Sequence, residues 1–110
     1  MHNGLKFPLS ALIIGTCGLA VWFQVKPQPH SVTITWRAPA PRPGVTVVGY
    51  SVYRRTSDGV SYVKIADRVP GPPYEDYLVS TGRTYLYVVT SVDQTGRESK
   101  YSEEARATIP

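Results

Sequence analysis

Hydrophobic and polar positions alternate along most of this chain with a period of two. From Ser31 to Arg37, Val32, Ile34 and Trp36 fall on one face while Thr33 and Thr35 fall on the other, the pattern of a half-buried strand. Val45 to Arg54 resumes the alternation, with Val48, Tyr50 and Val52 sharing a face. Tyr62 to Ile65 and Tyr74 to Tyr77 predict two short strands. Thr84 to Asp93 predicts the longest, with Tyr85, Tyr87 and Val89 directed inward and Val88, Thr90 and Val92 outward. Arg106 to Ile109 closes the set, with Ala105, Ala107 and Ile109 on one side.

The breaks between these runs are chemically explicit. Ala38-Pro39-Ala40-Pro41-Arg42-Pro43-Gly44 cannot continue a ladder, because each proline lacks a donor. Ser57-Asp58-Gly59, Pro70-Gly71-Pro72-Pro73, Ser80-Thr81-Gly82-Arg83 and Gln94-Thr95-Gly96-Arg97 are turns. No 3.6-residue period persists after Pro29. About seven short strands separated by such turns predict an all-β fold, a seven-stranded antiparallel Greek-key sandwich.

The N-terminal quarter is different. Phe7 to Val25 contains no charged residue, and Lys6 and Lys26 bracket it. At 1.5 Å per residue such a stretch makes roughly 28 Å of helix, close to the ~30 Å hydrocarbon core of a bilayer. Trp22 and Phe23 lie near its end, where interfacial aromatics are enriched. Residues 1–25 are therefore expected as an N-terminal apolar helix that anchors the chain in a membrane. The same residues also suit a signal peptide cut after Gly18-Leu19-Ala20, which leaves Val21, Phe23 and Val25 alternating as a first strand. Lipid attachment at Cys17 is a third route, although Thr16 is a poor fit to a lipobox. All three carry the domain out of the cytoplasm, either as a single-pass membrane protein or as a secreted or periplasmic one. A Pro-rich linker is expected over 26–30 and the sandwich over 31–110.

Composition narrows the function classes. The formal charge of +4 comes down to ten Lys and Arg against eight Asp and Glu after Pro29, and these arginines are scattered among acids. No basic stripe with interleaved aromatics forms, so no nucleic-acid partner is expected. Cys17 is the single cysteine, so the sandwich is stable by packing alone. Eight Tyr and two Trp against two Phe suit β-structure whose rings span from core to surface.

Four motifs stand in order: Val32-x-Ile34-x-Trp36, Gly49-Tyr50-x-Val52-Tyr53-Arg54, Gly82-x-Thr84-Tyr85-x-Tyr87-x-Val89 and Asp93-x-x-Gly96-x-Glu98-Ser99. On these, the chain resembles a fibronectin type III domain, of the bacterial extracytoplasmic kind, from about His30 to Pro110. The resemblance implies an immunoglobulin-like sandwich without a disulfide. It makes Trp36 the core tryptophan of the second strand and Tyr85 the corner tyrosine, whose hydroxyl bonds back to the preceding loop. The family's first strand should precede His30, where only Lys26 to Pro29 remain if the apolar segment stays in a membrane. Where some adhesive members carry Arg-Gly-Asp, this loop reads Thr95-Gly96-Arg97-Glu98, so integrin-type adhesion is not implied.

Candidate chemistry is sparse. His2 and His30 are the only histidines, one in the N-terminal segment and one in the linker, so no Ser-His-Asp arrangement and no Cys/His zinc site assembles. Glu75-Asp76 and Glu103-Glu104 are adjacent strand residues pointing to opposite faces; they read as solvated rim charges, not calcium ligands. Pro70 to Pro73 reads as edge protection. No enzyme activity, catalytic residue, cofactor or metal is expected. Trp36, Tyr50, Val52, Tyr85, Tyr87 and Val89 are the expected structural core. Tyr53, Arg55, Tyr62 and Lys64, with the composition of a contact surface, are the expected site for a protein partner. The alternative is a carbohydrate-binding module, in which Tyr53 and Tyr62 present coplanar rings to a glycan.

Overall fold

The computed structural model describes residues 11–14, 20–28 and 30–110. Eight strands form among them: β1 (Ala11–Ile14), β2 (Ala20–Gln28), β3 (Ser31–Trp36), β4 (Val47–Thr56), β5 (Val63–Val69), β6 (Tyr74–Asp76), β7 (Thr84–Asp93) and β8 (Ala105–Thr108). They build two four-stranded antiparallel sheets, β1-β2-β3-β6 and β5-β4-β7-β8.

Alternation places the apolar faces of both sheets against each other. Val32, Ile34 and Trp36 from β3 meet Tyr50 and Val52 from β4, Tyr85, Tyr87 and Val89 from β7, and Ala105, Ala107 and Ile109 from the last strand and its end. Trp36 is buried and meets Tyr50 edge to face, with ring centroids 5.3 Å apart. Tyr85 accepts a 2.9 Å hydrogen bond at its hydroxyl from the backbone N–H of Ser80, tying the turn before β7 to its first residues. Tyr85→Phe is expected to cost about 1 kcal/mol, the net worth of one such bond, by urea denaturation; an unchanged midpoint would remove the bond from the stability of the fold.

The N-terminal segment departs from the expected helix wherever it is described. Ala11–Ile14 and Ala20–Gln28 are strands, and the rest of the 1–25 segment, with Cys17, lies outside the described residues. Among the described residues, no helix is long and apolar enough to cross a membrane. The expected linker is corrected as well. Lys26, Pro27 and Gln28 continue β2, opposite Thr33, Val32 and Ser31. The physical reason is the free edge of β3. Val25, only 2 % exposed, stands opposite Ile34, and Pro27 is buried opposite Val32, so both cover apolar side chains that a linker would leave bare. Proline is tolerated there because, among the described residues, β1 pairs no further than Phe23 and asks no ladder donor of position 27.

Three local features differ from simple alternation. The register of β4 against β7 slips between Val47 and Gly49, so Val48 is 49 % exposed and does not share the core face of Tyr50. β5 runs to Val69 by bulging against β4, with Arg68 at φ 55°. A Cβ at Gly49 would lie 3.0 Å from the Arg68 Cα, so the bulge and the glycine require each other. Gly49→Ala is expected to cost about 1 to 3 kcal/mol as overpacking; native-like stability in denaturant would show that β5 yields without cost. Finally, Asp76 is 3 % exposed and not a rim charge. Its strand packs against the end of β4, where the Arg54 Nη1 donates to both of its carboxylate oxygens, at 2.9 and 2.8 Å. The Tyr87 hydroxyl adds a buried 2.7 Å bond.

Candidate functional site

The outer face of the β5-β4-β7-β8 sheet is built from Tyr53 and Arg55 of β4, Lys64 of β5, and Leu86, Val88 and Thr90 of β7. Cross-strand register sets Tyr53 beside both Lys64 and Val88, and Arg55 beside Leu86. On a bare outer face Val88 and Thr90 would be solvated, yet each is 1 % exposed. The segment after β7 covers them. Ser99 N–H donates to the Ser91 carbonyl and Ser102 N–H to the Val89 carbonyl. In return the Ser99 and Ser102 hydroxyl oxygens accept from the Ser91 and Val89 amides. This return path lays Glu98, Tyr101 and Glu104 over the sheet.

Three rings then nest together. Tyr101 packs against Tyr53, with centroids 5.0 Å apart and planes 58° apart, and against Tyr62, at 5.3 Å and 61°. Two carboxylates pin the cluster from either side. Glu98 accepts from the Tyr53 hydroxyl at 2.5 Å and the Thr90 hydroxyl at 2.8 Å, and pairs with the Lys64 Nζ at 2.8 Å. Glu104 accepts from the Tyr62 hydroxyl and pairs with the Arg55 Nη2 at 2.9 Å. Each cation also lies over a ring, Lys64 5.7 Å from the Tyr53 centroid and Arg55 5.4 Å from that of Tyr62. The four residues expected at a partner site, Tyr53, Arg55, Tyr62 and Lys64, are thus brought together. Tyr101, Glu98 and Glu104 complete the cluster. Sequence reasoning read Glu104 as a rim charge and gave Tyr101 no role, since alternation cannot say where a loop folds back.

The titration of these groups follows from their partners. Burial, with the Glu98 bond behind it, pushes the Tyr53 phenol up to about 12. Burial raises Tyr62 too, and the Glu98 bond raises Lys64. Burial alone would raise the Glu98 carboxyl, but donors from Lys64, Tyr53 and Thr90 outweigh it and hold the group below its ordinary 4.5. The Tyr62 hydroxyl is the main cause of the same lowering at Glu104. A lowered carboxylate contributes stability that is fully present above its unfolded value and is lost as pH falls through its folded one. Stability is therefore expected to be flat from pH 7 to about 5 and to decline below about 4.5. Replacing Glu98 and Glu104 together by Gln should make that acid limb shallower in denaturant titrations. An unaltered limb would assign the acid loss to other groups.

A groove of about 490 Å³ opens next to this cluster, at the end of the sandwich. One wall is the Pro39-Ala40-Pro41-Arg42 loop, the floor is Val45 to Val47, and the other wall is Ser91, Asp93 and Arg97 to Ser99. Gln94 ties the turn after β7 to the floor segment, accepting from the Thr46 N–H at 2.8 Å and donating to the Gly44 carbonyl at 2.9 Å. Among the described residues, no group of three or more His, Cys, Asp or Glu is arranged to hold a metal.

Two antiparallel sheets packed face to face around a buried tryptophan, with a corner tyrosine closing the entry to β7, define an immunoglobulin-like β-sandwich. A solved Fn3-like protein from Clostridium thermocellum superposes with a TM-score of 0.63 at 32 % identity, covering 80 % of this chain and 92 % of that one. The chain belongs to the fibronectin type III family. A β-1,2-glucanase from Parabacteroides distasonis aligns with 96 % of this chain at TM-score 0.67 and 27 % identity, over 14 % of its own length. An amylopullulanase of Thermoanaerobacterium saccharolyticum is 43 % identical over 54 residues, 49 % of this chain. The chain spans about 4 % of the length of that curated relative. No family model matches the chain. The domain is thus related to a segment of carbohydrate-active enzymes, and its fold is normally a non-catalytic module.

Proposed function

We propose that this domain is a non-catalytic interaction module that works alongside polysaccharide-degrading enzymes and docks on a protein surface through the Tyr53, Tyr62 and Tyr101 face. The observation that carries this reading is the nested cluster itself. Its rings are held by one another and by two carboxylates before any partner arrives, and Tyr101 at its centre remains 49 % exposed. Rigid aromatic surface of this kind contributes contact area with little ordering cost, the usual chemistry of an interface anchor. Export with cleavage near Ala20 accords with this role better than an anchor through Val25, because it leaves Phe23 to Gln28, the part of β2 that pairs with β3, free to do so.

Relationship to amylopullulanase and glucanase chains favours a second reading, binding of the glucan itself. The ring geometry argues against it: successive planes are tilted by about 60°, so the cluster offers no flat platform across two sugars. The two readings separate by experiment. A photo-crosslinker placed at Tyr101 in the exported chain, in its native host, should capture a defined protein, and Tyr62→Ala should reduce that capture at least 5-fold. Retardation of the purified chain in pullulan-containing gels, abolished by Tyr101→Ala, would instead establish the glucan reading.

A further inference from the structure

We propose that Tyr101 and Tyr62 form a site of oxidative cross-linking, at which a haem peroxidase and hydrogen peroxide join the two rings carbon to carbon within one chain. This chemistry requires no docking partner and uses the reactivity of the cluster rather than its shape. Three observations converge on this pair. The rings meet edge-on with centroids 5.3 Å apart, so the edge carbons of one already lie against the other. Tyr101 is 49 % exposed and can hand an electron to an oxidant too large to enter the fold. The Tyr62 hydroxyl donates to Glu104, whose carboxyl is held below its ordinary value and is therefore ionised at neutral pH, ready to take the phenolic proton.

The surroundings choose the partner of Tyr101 and the order of events. Lys64 lies over the Tyr53 ring and Arg55 over the Tyr62 ring, and a cation over a ring opposes the loss of an electron from it. Among the described residues no such cation lies over Tyr101, so Tyr101 is oxidised first. Tyr53 is fixed within β4, in register with Lys64 on one side and Val88 on the other. Tyr62 instead precedes β5 and Tyr101 lies between β7 and β8, so these two can make the small approach that a bond demands. Each ring gives up one electron and its hydroxyl proton, which passes to water from Tyr101 and to Glu104 from Tyr62. The two ortho carbons then bond, their hydrogens move to the phenolic oxygens, and two phenols are restored. Overall the chain loses two hydrogens while one hydrogen peroxide becomes two waters. With Cys17 as the single cysteine, the sandwich holds no disulfide, and this link would tie the start of β5 to the path between β7 and β8 in its place.

The test treats the full chain with a haem peroxidase and hydrogen peroxide at a low and a high protein concentration, followed by intact-mass measurement and peptide mapping. The monomer should become lighter by two hydrogens, with its Tyr62 and Tyr101 peptides joined and a yield that does not depend on concentration. Tyr62→Phe should abolish that linked peptide, and Glu104→Gln, which keeps the shape but not the base, should slow its formation on the order of 10-fold. Glu98→Gln should leave the rate nearly unchanged, because that carboxylate serves Tyr53. Tyr77 is the internal comparison, being 66 % exposed and bonded to Glu75 but with no second ring beside it among the described residues. Covalent dimers through Tyr77 or Tyr101 in place of the internal link, a link from Tyr101 to Tyr53, no cross-link at all, or equal rates for Glu104→Gln and Glu98→Gln would each overturn the proposal.

Discussion

Asp76→Ala is expected to destabilise the domain by about 3 to 5 kcal/mol, the cost of breaking a buried ion pair from one side. The carboxylate takes both Arg54 contacts, the Tyr87 hydroxyl, and the Leu78 N–H at 3.1 Å. Removing it leaves the fully buried Tyr87 hydroxyl without its acceptor, whereas the amide of exposed Leu78 can turn to water instead. Arg54 is 21 % exposed and can turn partly toward solvent, which draws the expectation toward the lower end of that range. Tyr87 itself reports the network, since burial and its bond to Asp76 raise its phenol well above the ordinary range. Urea denaturation of Asp76→Ala, Tyr87→Phe and the double variant forms the test. The double variant should lose less than the sum of the singles, because both remove one bond. A loss below about 1 kcal/mol for Asp76→Ala would mean that the pair is not formed in solution.

Trp36→Ala is expected to cost a similar roughly 3 to 5 kcal/mol, as an aromatic truncation in a closed core. Trp36 is 4 % exposed, and its edge-to-face contact with Tyr50 spans from one sheet to the other. For a domain of this size such a loss corresponds to a melting shift on the order of 12 °C or more. The indole Nε1 is buried without a hydrogen-bond partner among the described residues. That makes Trp36→Phe informative. It keeps a ring against Tyr50 and deletes an unsatisfied donor, so its cost should stay below about 1.5 kcal/mol. A shift of only a degree or two for Trp36→Ala would refute the core role, and a large loss for Trp36→Phe would reveal a partner for the indole N–H.

Both results bear on function through rigidity. Arg54 lies between Tyr53 and Arg55 on β4, and its pairing with Asp76 fixes the strand whose other face carries the tyrosine cluster. Variants of the inner network should therefore loosen the outer surface, while Tyr101→Ala should leave the inner network intact.

The sequence by itself determined the class of fold and most of the core. Period-two alternation in Ser31 to Trp36 and Thr84 to Val89 needs no tertiary knowledge, because a strand with one apolar face has only one way to bury it. Prolines and glycines marked the turns for an equally local reason. What tertiary structure decided lies where two segments compete or meet. The apolar residues near Val25 satisfy both a helix and a strand, and the unpaired edge of β3 settles the described part as a strand. Asp76 looks like any surface acid until β6 is set against Arg54 and Tyr87. Tyr101, Glu98 and Glu104 lie in or beside a loop, and only its return along β7 brings them onto Tyr53 and Tyr62. Alternation is a property of one strand, whereas a polar cluster depends on which strands become neighbours and in what register.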